Sequence, residues 1–198
     1  MKKATIALVL LWSLGCICAQ TPPPAPQVVT GKFDADQKMN GLLVYGQGFM
    51  FSAKEPDGWH GNTDEIARHY NSNLIFIPES KTSRAAHVNI RIRVNHKETT
   101  APSEDMQTDM TGYKKQYPNV KFANISVSHP KYQIAEKLFY TENDYYEYVV
   151  YVDPGSGVNK NFSVVMSKES KPATPDEMKT FQAVLESIFW ISGNVHAQ

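Results

Sequence analysis

Four stretches in the second half of the chain, residues 122–128, 132–140, 145–152 and 162–166, carry strand patterning and follow one another across turns alone. The separating segments are His129-Pro130, Glu142-Asn143-Asp144 and Asp153-Pro154-Gly155-Ser156-Gly157. Parallel neighbours need a crossover of about a dozen residues or more, so strands joined this directly pair mainly antiparallel. Earlier in the chain, residues 41–45 and 49–53 flank the hairpin turn Gly46-Gln47-Gly48, and residues 74–77 form an apolar strand stopped by Pro78. Residues 88–94 alternate most cleanly. Val88, Ile90, Ile92 and Val94 line one face, and Asn89, Arg91 and Arg93 the other.

Three helices interrupt these strands. Asn62, with Glu65 three residues later, starts a short one whose Ile66 and Tyr70 face inward. The spacing of Met106, Met110, Tyr113 and Tyr117 predicts a helix over 102–117, stopped by Pro118. Thr174, Pro175 and Glu177 give the last helix a cap, a pre-set first residue and a capping box. Its apolar face is Met178, Phe181, Val184, Leu185 and Ile188, and Ser192-Gly193-Asn194 ends it. Trp190 then falls late in that helix. Strands with inserted helices predict an α+β layer structure with one core and no repeat.

The N-terminus has the order of a secretory signal peptide: basic Met1-Lys2-Lys3, an uncharged apolar run over residues 4–17, and small Ala19 at the cleavage point. That run is shorter than the roughly 20 residues of a membrane span. Removal of residues 1–19 discards Cys16 and Cys18, the only two cysteines, and with them any disulfide or thiol nucleophile. The alternative is a lipid anchor at Cys16. Lipoprotein signals usually carry Leu three residues before the cysteine, where this chain has Ser13, so simple cleavage is favoured. Residues 20–40, opening with Thr21-Pro22-Pro23-Pro24-Ala25-Pro26, read as an extended leader. The folded domain then spans 41–191, and 192–198 is a loose tail.

Charge excludes some partners. The whole chain has a formal net charge of zero, and cleavage removes two lysines, leaving a small acidic excess. Bulk charge therefore attracts neither nucleic acid nor an anionic membrane. Six histidines are scattered without the short spacings of a metal site, so neither a metal nor a cofactor is expected. No serine sits in a Gly-x-Ser-x-Gly turn, and no glycine-rich phosphate loop follows a strand. Adjacent Glu104 and Asp105 open a helix, where acids favour the dipole. No catalytic residue is nominated.

Arg91 and Arg93 share one sheet face and invite two readings. One is a solvated outer face or cross-strand pairing with Glu147; the other is an anion site. The first is favoured. Among Tyr145, Tyr146, Tyr148 and Tyr151, alternation puts Tyr146 and Tyr148 opposite to the other two. Trp59, after the turn Pro56-Asp57-Gly58, is read as packing at the core edge. Trp59, His60, Arg91, Arg93 and Tyr148 are the candidate binding-surface residues.

The chain resembles the PsbP-like family over about residues 41–191. The matching features are Gly48-Phe49-Met50-Phe51, then Pro56-Asp57-Gly58-Trp59, then Phe162-Ser163-Val164-Val165-Met166 ahead of Ser187-Ile188-Phe189-Trp190. The resemblance implies an α/β/α sandwich around a central antiparallel sheet, and action by binding rather than catalysis. No site residue transfers with it. The functional expectation is an exported, periplasmic accessory or binding protein acting through an envelope protein partner or a small ligand. The alternatives are a hydrolase with a site assembled from distant loops, and a lipid-anchored envelope component.

Overall fold

A computed structural model describes residues 27–30, 41–81, 86–99 and 101–191. The segment expected to be a signal peptide, Cys16 as the alternative lipid anchor, most of the expected leader and the tail lie outside the described residues. The strands are β1 (Gln27–Thr30), β2 (Leu42–Gly46), β3 (Phe49–Ala53), β4 (Trp59–Asn62), β5 (Leu74–Pro78) and β6 (Val88–His96), followed by β7 (Lys121–Ala123), β8 (Gln133–Tyr140), β9 (Tyr145–Asp153), β10 (Lys160–Glu169) and β11 (Phe189–Trp190). The helices are α1 (Glu65–His69), α2 (Pro102–Gln116) and α3 (Pro175–Glu186). Two antiparallel sheets result, ordered β1-β2-β3-β11 and β4-β5-β6-β10-β9-β8-β7.

This corrects the expected α/β/α sandwich. The chain is mostly β, and its three helices are short. The layer expected to be helical is largely the smaller sheet, with α3 beside it. Leu42, Val44 and Phe51 from that sheet meet Ile90, Ile92, Val150 and Val164 of the larger sheet, and Phe181, Val184 and Leu185 of α3 join the same core. Phe162 ties the layers together: it is fully buried and edge-on to Phe51 at 5.3 Å and to Trp190 at 5.8 Å. Gly61 leaves room where the sheets approach: a Cβ there would stand 2.4 Å from Leu42 Cδ1, so that side chain would have to shift. Gly58, at φ 75°, occupies the left-handed position that its turn needs.

The antiparallel pairing of the turn-linked strands holds throughout. Several boundaries differ. The backbone of Gln27–Thr30 pairs with Leu42–Tyr45, so the sheet begins inside the expected leader. The stretch expected as a strand over 122–128 pairs only over Lys121–Ala123. Helix α1 is capped by Asp64, whose carboxylate accepts from Ile66 N, while Asn62 accepts from Asp64 N one turn earlier. Helix α2 stops at Gln116, so Tyr117 leaves the apolar stripe and is exposed.

The capping box of α3 forms as expected: Thr174 Oγ1 accepts from Glu177 N at 3.2 Å, and Glu177 Oε2 accepts from Thr174 N at 2.7 Å. The far end is shorter than the apolar pattern suggested. Ser187 Oγ donates to Val184 O and accepts from Lys54 N, which closes the helix and pins it to β3. The chain then extends, so Trp190 belongs to β11, paired with Phe51, rather than to a helix.

Candidate functional site

The larger sheet's second face is covered unevenly. Helix α1 packs over β5 through Ala67, Ile75 and Ile77, and α2 packs over β8 and β9 through Met106, Phe139 and Val149. Strands β6 and β10 lie between, and among the described residues no helix or strand is laid across their middle. The result is a cleft of about 210 Å³. Its floor comes from Arg91, Arg93, Ser163, Val165, Val149 and Tyr151, with Glu147 at one end. One wall is Tyr70-Asn71-Ser72, where Asn71 at φ 50° turns the chain after α1; the other is Asp109 and Tyr113 of α2.

Register explains this floor. Arg91 lies opposite Val165 and Val165 opposite Val149; Arg93 lies opposite Ser163 and Ser163 opposite Tyr151. Because side chains alternate, the strands that bury Ile90, Ile92 and Val164 on one face must present these residues on the other.

Arg91 reaches across β10 to β9. Its Nη2 donates to Glu147 Oε1 at 2.5 Å and to Ser167 Oγ at 2.7 Å. Ser167 and the Tyr145 hydroxyl also donate to Glu147 Oε1, at 3.0 and 3.2 Å. The Glu147 side chain is 7% exposed and that of Arg91 20%, so the pair is largely withdrawn from water. The Arg91 guanidinium also lies 5.8 Å from the Tyr70 ring centre, which braces the α1 wall. On the α2 side, the Tyr113 ring is held edge-on to Phe139 at 4.8 Å.

Asp109 faces this network. Burial first, and the negative charge of Glu147 second, push its carboxyl up to about 6, against a hydrogen bond from Tyr151 that favours ionisation. Tyr151 moves up as well, from burial and then from the Asp109 and Asp105 charges, with Arg93 opposing. Arg93 makes no hydrogen bond or ion pair among the described residues.

Chemically, the cleft offers cationic and hydroxyl donors above an apolar strip. Ser167 touches a carboxylate, but it is 3% exposed and Glu147 Oε1 already accepts three donors, so the pair is not arranged to free a serine nucleophile. A wider, more open depression of about 510 Å³ lies on the other side of α2, lined by Met106, Met110, Ile125, Ala135 and Lys137 among others. It lacks a comparable convergence of charged groups.

The structure brings together two of the five sequence-nominated residues, Arg91 and Arg93. Of the two forms of the favoured reading, Arg91 shows the pairing with Glu147 and Arg93 the exposed face. Trp59 and Tyr148 sit in the core between the sheets, and the Tyr148 hydroxyl accepts from Ala173 N at 2.8 Å. Exposed His60 lies on edge strand β4, 3.4 Å from Glu55, and does not line the cleft. His129 holds its loop to the end of α3: Nδ1 accepts from two backbone N–H groups, and Nε2 is 3.0 Å from Ile188 O. Burial lowers its pKa. Among the described residues no group of three or more His, Cys, Asp or Glu could hold a metal ion.

Sequence reasoning passed over Asp109, Tyr113 and Ser163. A signal for the first existed: Asp105, Asp109 and Tyr113 are four apart, forming a polar stripe beside the Met106–Met110 one. Ser163 had none, because its place depends on which strands become neighbours. No family model matches this chain, and no curated protein matches it. Among the described residues no helix is long and apolar enough to cross a membrane.

Proposed function

We propose that this chain is an exported, non-catalytic binding protein that holds a small ligand in the cleft between α1 and α2. The observation that carries the reading is the gap over β6 and β10. Two helices roof the flanking strands, and polar side chains converge in the space left between them. At about 210 Å³ it is smaller than the roughly 300–1,000 Å³ of sites for drug-sized molecules, which favours a compact ligand. The basic start, apolar run and Ala19 support export, and the resemblance to the PsbP-like family supports binding over catalysis.

The test is to fill the cleft. Ser163→Trp places a large ring on the floor at a half-buried position. Wild-type protein purified from its native compartment should release a small molecule to mass spectrometry on denaturation. The folded variant, checked by circular dichroism, should release none. Equal recovery from both proteins would place the ligand elsewhere. Failure to recover a ligand from wild type, with no small molecule shifting its melting temperature, would remove the reading.

A further inference from the structure

Charge is distributed unevenly within the cleft. Arg91 is matched by Glu147 at 2.5 Å, so that pair brings no net charge to a ligand. Arg93 is two residues along the same strand face, exposed, and makes no hydrogen bond or ion pair among the described residues, while Asp109, the cleft's other carboxyl, stands on the α2 wall with Tyr151 as its hydrogen-bond donor. An arginine presents a planar fork of donors suited to a carboxylate. The surface next to it is not polar throughout. Val165 and Val149 form an apolar strip on the floor, and the rings of Tyr70 and Tyr113 stand at the two walls. Both rings are already braced, Tyr70 by Arg91 and Tyr113 by Phe139, so little order remains to be imposed on binding.

Resting on the cleft reading above, we infer that the ligand is a small monocarboxylate with a flat apolar body. Its carboxylate lies on Arg93 and its body on the valine strip between the tyrosines. A simple inorganic anion would leave the strip and rings unused. A neutral ring compound would leave Arg93 without an acceptor. The cleft volume admits a single ring with its substituent and little more.

Titration calorimetry with benzoate, benzyl alcohol, acetate and inorganic phosphate separates these cases. Benzoate should bind at least about tenfold more tightly than the other three, the step expected for one charge-assisted contact joined to apolar burial. Arg93→Gln, at an exposed position, should weaken benzoate about tenfold or more and leave benzyl alcohol unchanged. Arg93→Lys should restore part of the loss. Ser163→Trp should abolish binding of every probe. If benzyl alcohol binds as well as benzoate and Arg93→Gln changes neither, the carboxylate assignment falls while the cleft reading stands. Phosphate as the tightest probe would also overturn it. If no probe binds wild-type protein, the monocarboxylate assignment falls, and the cleft reading is decided separately by ligand recovery from natively purified protein.

Discussion

Replacing Glu147 by leucine removes the acceptor on which Arg91, Ser167 and Tyr145 converge. The cost is dominated by what stays behind. An arginine whose side chain is 20% exposed keeps its charge and loses its counter-ion, while two hydroxyls lose an acceptor. Removing one partner of a buried pair typically costs about 3–5 kcal/mol. The residual exposure of Arg91 allows some solvation, so about 3 kcal/mol is expected. The double substitution Arg91→Leu/Glu147→Leu leaves no buried charge and should cost clearly less, within about 1–2 kcal/mol of wild type. Urea unfolding followed by circular dichroism measures both. A Glu147→Leu cost below about 1 kcal/mol would refute the reasoning. So would a double variant as unstable as the single one, since either result means the pair is not withdrawn from water as its geometry implies.

Asp109 makes stability depend on pH. Its carboxyl holds its proton up to about 6 when folded, against an ordinary value of 3.8, so its contribution is greatest while it is protonated and declines as pH rises from about 4 to about 6. Asp109→Asn should remove that decline, and its advantage over wild type should grow to about 1–2 kcal/mol at pH 7, after allowance for solvent at the cleft mouth. Urea midpoints at pH 4 and 7 check this, and an advantage that shrinks with pH would reverse the argument. Phe162→Ala opens a cavity where β10, β3 and β11 meet and should cost about 3–5 kcal/mol, read as a fall in the urea midpoint. A cost near 1 kcal/mol would mean that the two sheets close over the gap.

What could be read ahead of the structure was local. Val88 to Val94 alternate so regularly that the two faces of β6 follow from sequence, and charge with strand position offers Glu147 as one partner for Arg91, beside a solvated face. Thr174 with Glu177 likewise marks the start of α3 through contacts within four residues. The errors came where distant segments decide the outcome. The apolar pattern of α3 runs on through Ile188, but Ser187 is held by Lys54, so the residues beyond it become a strand. The expected helical layer failed for the same reason: residues near both ends of the chain pair into a second sheet. The cleft was half legible. Its cationic face follows from alternation, whereas its walls depend on how far α1 and α2 reach across the sheet.

The bond from Lys54 to Ser187 spans 133 positions of sequence, and β11 completes the smaller sheet only a few residues later. A chain made from its amino terminus therefore holds β3 without its β11 partner until residues 187–190 follow. Removal of Ser187 and β11 would leave the cleft's own strands intact but reopen that border, leaving β3 prone to recruit a foreign strand.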